Sequence, residues 1–321
     1  ILENAKDVDE QIQKLIFSLN HIPHQLYGQE TTLECSVGIS IWPEHGNTAE
    51  KLIHSAEKAM FNAKKSRMKY CFYTLDMSPS YQLNLEEKIK VAIKEKQFYL
   101  VFQPIVELET LKAVGYEALI RWQHPEEGNI PPNQFIPFAE QSGIIIEIEK
   151  NVLALACNKL KQLDESSPGI FLSINISALH FHQNIVEHIT EAVNKAKVSP
   201  NQIKIEVTET CSMKDPNNTI IKLNELKEIG IRVAIDDFGV GYSSLQYVGN
   251  FPADEIKLDQ SFINPITTQK TTIINAVFSI ANDYKIDVVA EGIETDEQLN
   301  FLKGLGCKYG QGYILGRPIK M

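Results

Sequence analysis

Eight apolar segments, each five to eight residues long, recur through the last three quarters of this chain, at 99–106, 115–122, 170–177, 203–209, 232–239, 255–259, 287–294 and 309–315. Helix-like stretches at 147–163, 185–197, 219–229, 271–284 and 297–305 separate them, and another at 84–96 precedes the first. Strands alternating with helices predict a parallel sheet, and eight of them predict a closed (β/α)8 barrel. One joint breaks the pattern. Between residues 106 and 115 there is no room for a crossover helix, because a parallel connection needs a dozen residues or more. The first two strands are therefore expected to form an antiparallel hairpin. The expected fold class is α/β, a modified TIM-like barrel with one reversed strand.

The first 75 residues have a different rhythm. Residues 33–42 alternate apolar and polar as a half-buried strand does, residues 48–65 carry apolar side chains at helical spacing, and 70–73 form a short strand. This predicts a small α/β segment over 1–75, a linker over 76–81 and the barrel over 82–321.

Each barrel strand carries a polar residue near one end. In order these are Gln103, Glu117, Asn175, Glu206 with Glu209, Asp236 with Asp237, Lys257 with Asp259, Glu291 with Glu294, and Gln311. In a barrel the C-terminal ends of the parallel strands share one face, so these residues converge there. Any one of these acids reads as a solvated strand end, since most carboxylates are surface residues. Taken together, partly buried carboxylates around one rim repel each other unless cations balance them. Carboxylate and amide oxygens are hard ligands suited to Mg²⁺ or Mn²⁺, and the adjacent Asp236 and Asp237 suit two metals. None of the eight histidines falls within these strand-end motifs; His180 and His182 read as ordinary loop or helix-start residues, and zinc is the weaker choice. The five cysteines are scattered without a CxxC pair and read as buried reduced thiols. A formal net charge of −10 argues against a nucleic acid polymer as partner. No apolar run spans a membrane and the polar start is not a signal peptide, so a cytoplasmic domain is expected. These residues alone fit a divalent-metal barrel enzyme acting on a phosphoester, with Lys257 orienting water. They fit equally a barrel lyase in which Lys257 abstracts a proton.

The same residues resemble a known family. Glu117-Ala-Leu119 with Arg121-Trp122 is similar to the signature of EAL domains, phosphodiesterases of cyclic di-GMP. The likeness extends in order through Gln103-Pro104, PPNQFIP at 131–137, Asn175 within SINIS, Glu206-Val-Thr-Glu209 and Asp236-Asp237-Phe-Gly239. It continues through Lys257-Leu-Asp259, Glu291-Gly-Ile-Glu294, Gln311-Gly-Tyr313 and Gly316-Arg-Pro318. The resemblance implies hydrolysis of cyclic di-GMP to linear pGpG with Mg²⁺ or Mn²⁺. It implies Glu117, Asn175, Glu206 and Asp236 as ligands of one metal, with Asp236 and Asp237 serving a second and Glu291 near that pair. Lys257 would assist the attacking water, and Glu209 would steady the loop after Asp237 that holds Gly239 and Gly241. Arg121 would meet a phosphate, while Gln103, Leu119, Asp259, Glu294 and Gln311 would line the substrate and water site. A homodimer is expected on the same ground. Val240 replaces the family's common threonine between the two loop glycines, which bears on loop control. A complete acid set weighs against the alternative of a catalytically silent cyclic di-GMP receptor.

The amino-terminal segment resembles the C-terminal half of a GGDEF (diguanylate cyclase) domain, through Cys35-Ser-Val-Gly-Ile-Ser-Ile-Trp-Pro43, Ala56-Glu-Lys-Ala-Met-Phe61 and Ala63-Lys64. The Gly-Gly-Asp-Glu-Phe signature is absent, so no cyclase activity is expected. The likeness implies a piece of a longer bacterial tandem signalling protein, with an upstream sensor or membrane anchor possible. A half-domain is also expected to expose core surface.

Overall fold

The computed structural model describes residues 12, 14–15, 24–26, 29–31, 35–65, 68–74, 79–209, 211, 215–239, 251–264 and 268–321. The chain divides into two compact units, Ile1–Glu87 and Lys88–Met321. Val240 and Gly241 lie outside the described residues, as do residues 76–78 of the expected linker. Among the described residues no helix is long and apolar enough to cross a membrane.

In the first unit, strands β1 (His24–Leu26) and β2 (Gln29–Thr31) form an antiparallel hairpin. Strand β3 (Val37–Ile39), helix α1 (Ala49–Lys65) and strand β4 (Tyr70–Phe72) form a parallel βαβ arrangement, with Gly38 opposite Cys71. A side chain at Gly38 would place its Cβ 1.9 Å from the Ala56 carbonyl oxygen, so only glycine lets α1 lie this close to β3. Ala59 and Ala63 are buried, whereas Trp42, Ile53, Met60 and Phe61 are exposed.

Helix α2 (Pro79–Lys94) runs across the division between the units, and the barrel follows it. Strands β5 (Phe98–Glu107) and β6 (Lys112–His124) form the expected antiparallel hairpin. A short strand, β7 (Gly128–Ile130), pairs antiparallel with the end of β6 and was not foreseen. The chain then alternates: α3 (Pro132–Ser142), α4 (Ile145–Ser166), β8 (Phe171–Asn175), α5 (Ala178–Phe181), α6 (Ile185–Ala196), β9 (Ile203–Thr208), α7 (Pro216–Glu228) and β10 (Arg232–Phe238). It ends with β11 (Glu255–Leu258), α8 (Gln260–Ile263), α9 (Thr268–Tyr284), β12 (Asp287–Ala290), α10 (Asp296–Gly304) and β13 (Tyr309–Gly310). Around the barrel the order is β5-β13-β12-β11-β10-β9-β8-β6, and the β5–β6 pair closes it. β5 runs antiparallel to both neighbours, while the six pairs from β6 to β13 are parallel. This is the modified eight-stranded barrel with one reversed strand.

The strand sequences explain what fills the interior. In β9 the chain reads Ile-Lys-Ile-Glu-Val, and all five residues are buried. Side chains alternate sides along a strand, so Lys204 and Glu206 share one face and the three aliphatic residues take the other. β11 repeats the device with Glu255 and Lys257. Lys204 pairs with Glu255 at 2.5 Å near the N-terminal ends of the strands, and its ammonium lies 4.0 Å from the Phe171 ring centroid. Phe171 packs with Ile105 and Val289 and plugs that end. Glu206 and Lys257, two residues further along, face the opposite mouth.

Candidate active site

Strand register brings the polar strand ends together. Glu117 pairs with Ser173, Asn175 with Glu206, and Asp236 with Thr208 on neighbouring parallel strands. The centre of the constellation is the Lys257 ammonium. Its Nζ lies 2.7 Å from Glu206, 2.7 Å from Glu291, 3.4 Å from Asp236 and 3.7 Å from Glu117. Lys257 is 1% exposed and Glu206 is 1% exposed, so this is a buried charge cluster and not a rim of solvated ends. Four carboxylates against one ammonium leave an excess of negative charge.

Amide donors fix Glu117. Asn175 Nδ2 donates to its Oε1 at 2.7 Å, and Gln311 Nε2 donates to its Oε2 at 2.6 Å. Burial works to raise the Glu117 pKa, but the Lys257 ammonium and these hydrogen bonds outweigh it and hold the carboxyl below its usual range. Glu206 goes the other way: burial pushes it well above the usual range, Lys257 opposes, and Glu117 and Asp236 add to the rise. The Ser173 hydroxyl donates a short hydrogen bond to Glu206. For Glu291, burial lifts the pKa to about 7, against the pull of Lys257 and with Asp236 and Glu117 adding. Burial would neutralise Lys257, but Glu117, Glu206, Glu291 and Asp236 reverse that and keep it charged.

Asp237 stands apart from this contact set. It is exposed, its φ of 55° is left-handed, and its N–H donates to its neighbour Asp236 Oδ1 at 2.9 Å. Burial, then the charges of Asp236 and Asp259, raise its pKa. Glu209 Oε2 accepts the Gly239 N–H at 2.9 Å, so it holds the end of β10.

Two cavities open beside the cluster. One, of about 260 Å³, is lined by Gln103, Leu119, Asp259, Glu294 and Gln311 together with Glu117 and Glu291. Gln260 and Tyr313 also line it; neither is among the expected site residues, although Tyr313 belongs to the Gln311-Gly-Tyr313 motif. Gln311 Oε1 is buried and has no hydrogen-bond partner among the described residues. The other cavity, of about 620 Å³, is largely apolar, and Arg121, Asn175 and Glu206 stand on its wall. Arg121 therefore faces a different cavity from the other expected substrate contacts, although Leu119 touches both. Two residues carry a second duty: Asp259 caps α8 by accepting the Ser261 N–H at 2.8 Å, and Gln103 Nε2 donates to the Gly316 carbonyl at 3.3 Å.

The sequence reading missed two features. Ser173 is fully buried and shares a strand face with Asn175, so period-two alternation was the available signal. His180 is a helical residue, as expected, but it is wholly buried against Glu149 and is not an ordinary loop position.

The EAL domain profile matches residues 86–318, and the diguanylate cyclase GGDEF domain profile matches residues 1–69. The chain is 36% identical over 314 residues to the bifunctional diguanylate cyclase/cyclic di-GMP phosphodiesterase MucR of Pseudomonas aeruginosa, covering 96% of this chain and 46% of that protein. It is 33% identical over 306 residues to the cyclic di-GMP phosphodiesterase NbdA of the same organism, covering 93% of this chain and 39% of that protein. The chain thus spans less than half the length of these curated relatives. A solved structure of the MucR phosphodiesterase in complex with c-di-GMP superposes with a TM-score of 0.70 at 37% identity, covering 74% of this chain and 97% of that one.

Proposed function

The chain belongs to the EAL domain family over residues 86–318, and on that premise we propose that it is a metal-dependent phosphodiesterase that opens cyclic di-GMP to linear pGpG. Family membership also displaces the barrel-lyase alternative. The observation that carries the proposal is the buried cluster of four carboxylates around Lys257, set between two cavities at the barrel mouth.

The residues fit a hard divalent cation. Glu117, Asn175, Glu206 and Asp236 offer only oxygen donors besides the anchored amide nitrogen, and Asp237 stands next to them. Glu206 resists ionisation as the cluster stands, so positive charge beyond that of Lys257 is needed to keep it a carboxylate. Among the described residues no three His, Cys, Asp or Glu side chains are spaced as a ready metal shell; the acids close on Lys257. Bound there, Mg²⁺ or Mn²⁺ supplies positive charge to a phosphoryl oxygen and acidifies water.

The chain's own groups do the rest. Lys257 offers N–H donors to the attacking water and to the charge that builds on the phosphoryl oxygens. Glu291, poised near neutrality, takes the water's proton. The oxygen of that water attacks phosphorus in line, the bond from phosphorus to the 3′ oxygen breaks, and the 3′ oxygen takes up a proton from solvent to become the ribose hydroxyl of pGpG. Arg121 holds the other phosphate from the larger cavity. Gln103, Leu119, Asp259, Glu294 and Gln311 hold the nucleotide in the smaller one. A homodimer and a cytoplasmic location belong to the same proposal.

Incubating the chain with cyclic di-GMP and Mn²⁺, then separating products by chromatography, is expected to give pGpG. Nucleotide that binds but is recovered intact would convert the reading to a silent receptor. No binding at all would remove both.

A further inference from the structure

A second polar constellation lies beside the acid cluster and takes no part in the proposed chemistry. Glu149 on α4 is only 6% exposed. Its Oε1 accepts the Ser177 backbone N–H at 2.8 Å, and its Oε2 accepts the Ser177 hydroxyl at 3.3 Å. The same Oε2 lies 2.8 Å from Nδ1 of His180, which is fully buried. Nε2 of His180 lies 2.7 Å from Nδ1 of His188 on α6. A carboxylate only accepts, so the His180 Nδ1 carries a proton. Burial, with Lys150 and His180 nearby, holds the His188 pKa below its ordinary value and keeps that ring neutral. A neutral His188 with its proton on Nδ1 donates to Nε2 of His180, and every hydrogen bond in the row is then satisfied.

Burying a carboxylate and an imidazole costs more than burying apolar side chains of the same size. What they grip suggests why they are there. Ser177 lies in the turn between β8 and α5, two residues after Asn175. Ile176, between them, donates its N–H to the Glu206 carbonyl at 3.0 Å. The turn is therefore clamped from two sides, by Glu206 at Ile176 and by Glu149 at Ser177. The side chain that this clamp aims is Asn175, whose Nδ2 is spent on Glu117 and whose Oδ1 remains as an oxygen donor.

We infer that Glu149, backed by His180 and His188, is a positioning residue that holds Asn175 in register with Glu117 and Glu206. The inference rests on the metal-dependent reading above, in which Asn175 is a ligand. Partners one step behind a metal ligand typically govern metal affinity by about 10–100-fold.

The test is a calorimetric titration of Mn²⁺ into the metal-free 321-residue chain, with thermal unfolding and hydrolysis measured in parallel, for wild type, Glu149→Ala, Glu149→Gln and His188→Ala. Glu149→Ala is expected to weaken Mn²⁺ binding about 10–100-fold, with a matching loss of the Mn²⁺-induced rise in Tm. Glu149→Gln keeps an oxygen for the Ser177 N–H and is expected to recover most of the affinity. His188→Ala, at a partly exposed position, is expected to fall between the two. Should Glu149→Ala fail to fold, Glu149→Gln and His188→Ala decide, and wild-type affinity in both overturns the inference. A lower metal-free Tm with unchanged Mn²⁺ affinity in Glu149→Ala also overturns it, since the clamp would then serve stability alone. A wild-type chain that takes up no Mn²⁺ and hydrolyses nothing sinks the metal reading itself, and the inference with it. Wild-type uptake with unaffected variants sinks only the inference.

Discussion

Glu117→Gln will lose hydrolysis of cyclic di-GMP by about 10³-fold or more, roughly 4 kcal/mol of transition-state stabilisation. The reason lies in how Glu117 is held. Both of its oxygens accept, one from Asn175 and one from Gln311, and Lys257 stands 3.7 Å away. An amide in its place turns one acceptor into a donor, which then faces an amide donor of Asn175 or Gln311. One of those amides must turn over, and the new arrangement withdraws a charged oxygen from the proposed metal site. The buried donor mismatch alone costs about 1–3 kcal/mol. Measured by pGpG released per enzyme with Mn²⁺ in excess, near-normal turnover in this variant would remove Glu117 from the ligand set.

Most of the barrel was legible because its strands are buried on both sides and flanked by helical periodicity. The segments expected at 99–106, 203–209 and 232–239 match β5, β9 and β10 to within one residue at either end. The reversal of β5 followed from loop length alone. Strand ends near the site were less legible. Residues 287–294 read as one strand, but β12 stops at Ala290, and Gly292 follows with a φ of 67°. Residues 309–315 likewise read as a strand, but only Tyr309–Gly310 pairs. There the Gly316 N–H returns to the Gly312 carbonyl, and Gly312 lies so close to the Ile293 backbone that a Cβ would sit 2.1 Å from its carbonyl oxygen. Apolar composition marks such a turn as buried without saying that it is no longer extended. β7 was lost for the opposite reason, since three residues beginning with a glycine carry no period. The strand-end acids were legible as a set, because a barrel gathers one end of every parallel strand. That Lys257 sits at their centre depends on side-chain reach across the barrel. The pairing of Glu149 with His180, 31 residues apart, depends on helix packing that no local pattern records.

Lys257→Met tests the electrostatic balance of the site apart from its chemistry. Methionine fills the volume but removes the positive charge nearest to four carboxylates. Breaking a buried charge set by deleting one partner costs about 3–5 kcal/mol, which for a unit of this size lowers Tm by roughly 10 °C. The loss must depend on pH, and its sign is fixed. Burial already raises Glu206 and Glu291 above their unfolded values, and Lys257 is the group that opposes the rise. Without it both carboxyls bind protons still more strongly in the folded state than in the unfolded one. Stability is then greatest below the unfolded carboxyl pKa and falls as pH rises through the folded values. The metal-free variant is therefore expected to lie close to wild type at pH 5 and well below it at pH 8. Excess Mn²⁺ at pH 8 should restore part of the difference, because a divalent cation returns the missing charge. Hydrolysis should remain at least about 10²-fold down even then, since the N–H donors proposed to meet the reacting phosphate are gone. Thermal melts of both proteins across that pH range, with and without Mn²⁺, make the comparison. A deficit that stays constant with pH would mean that the carboxylates are not balanced by Lys257, and the charge cluster would lose its place as the organising feature of the site.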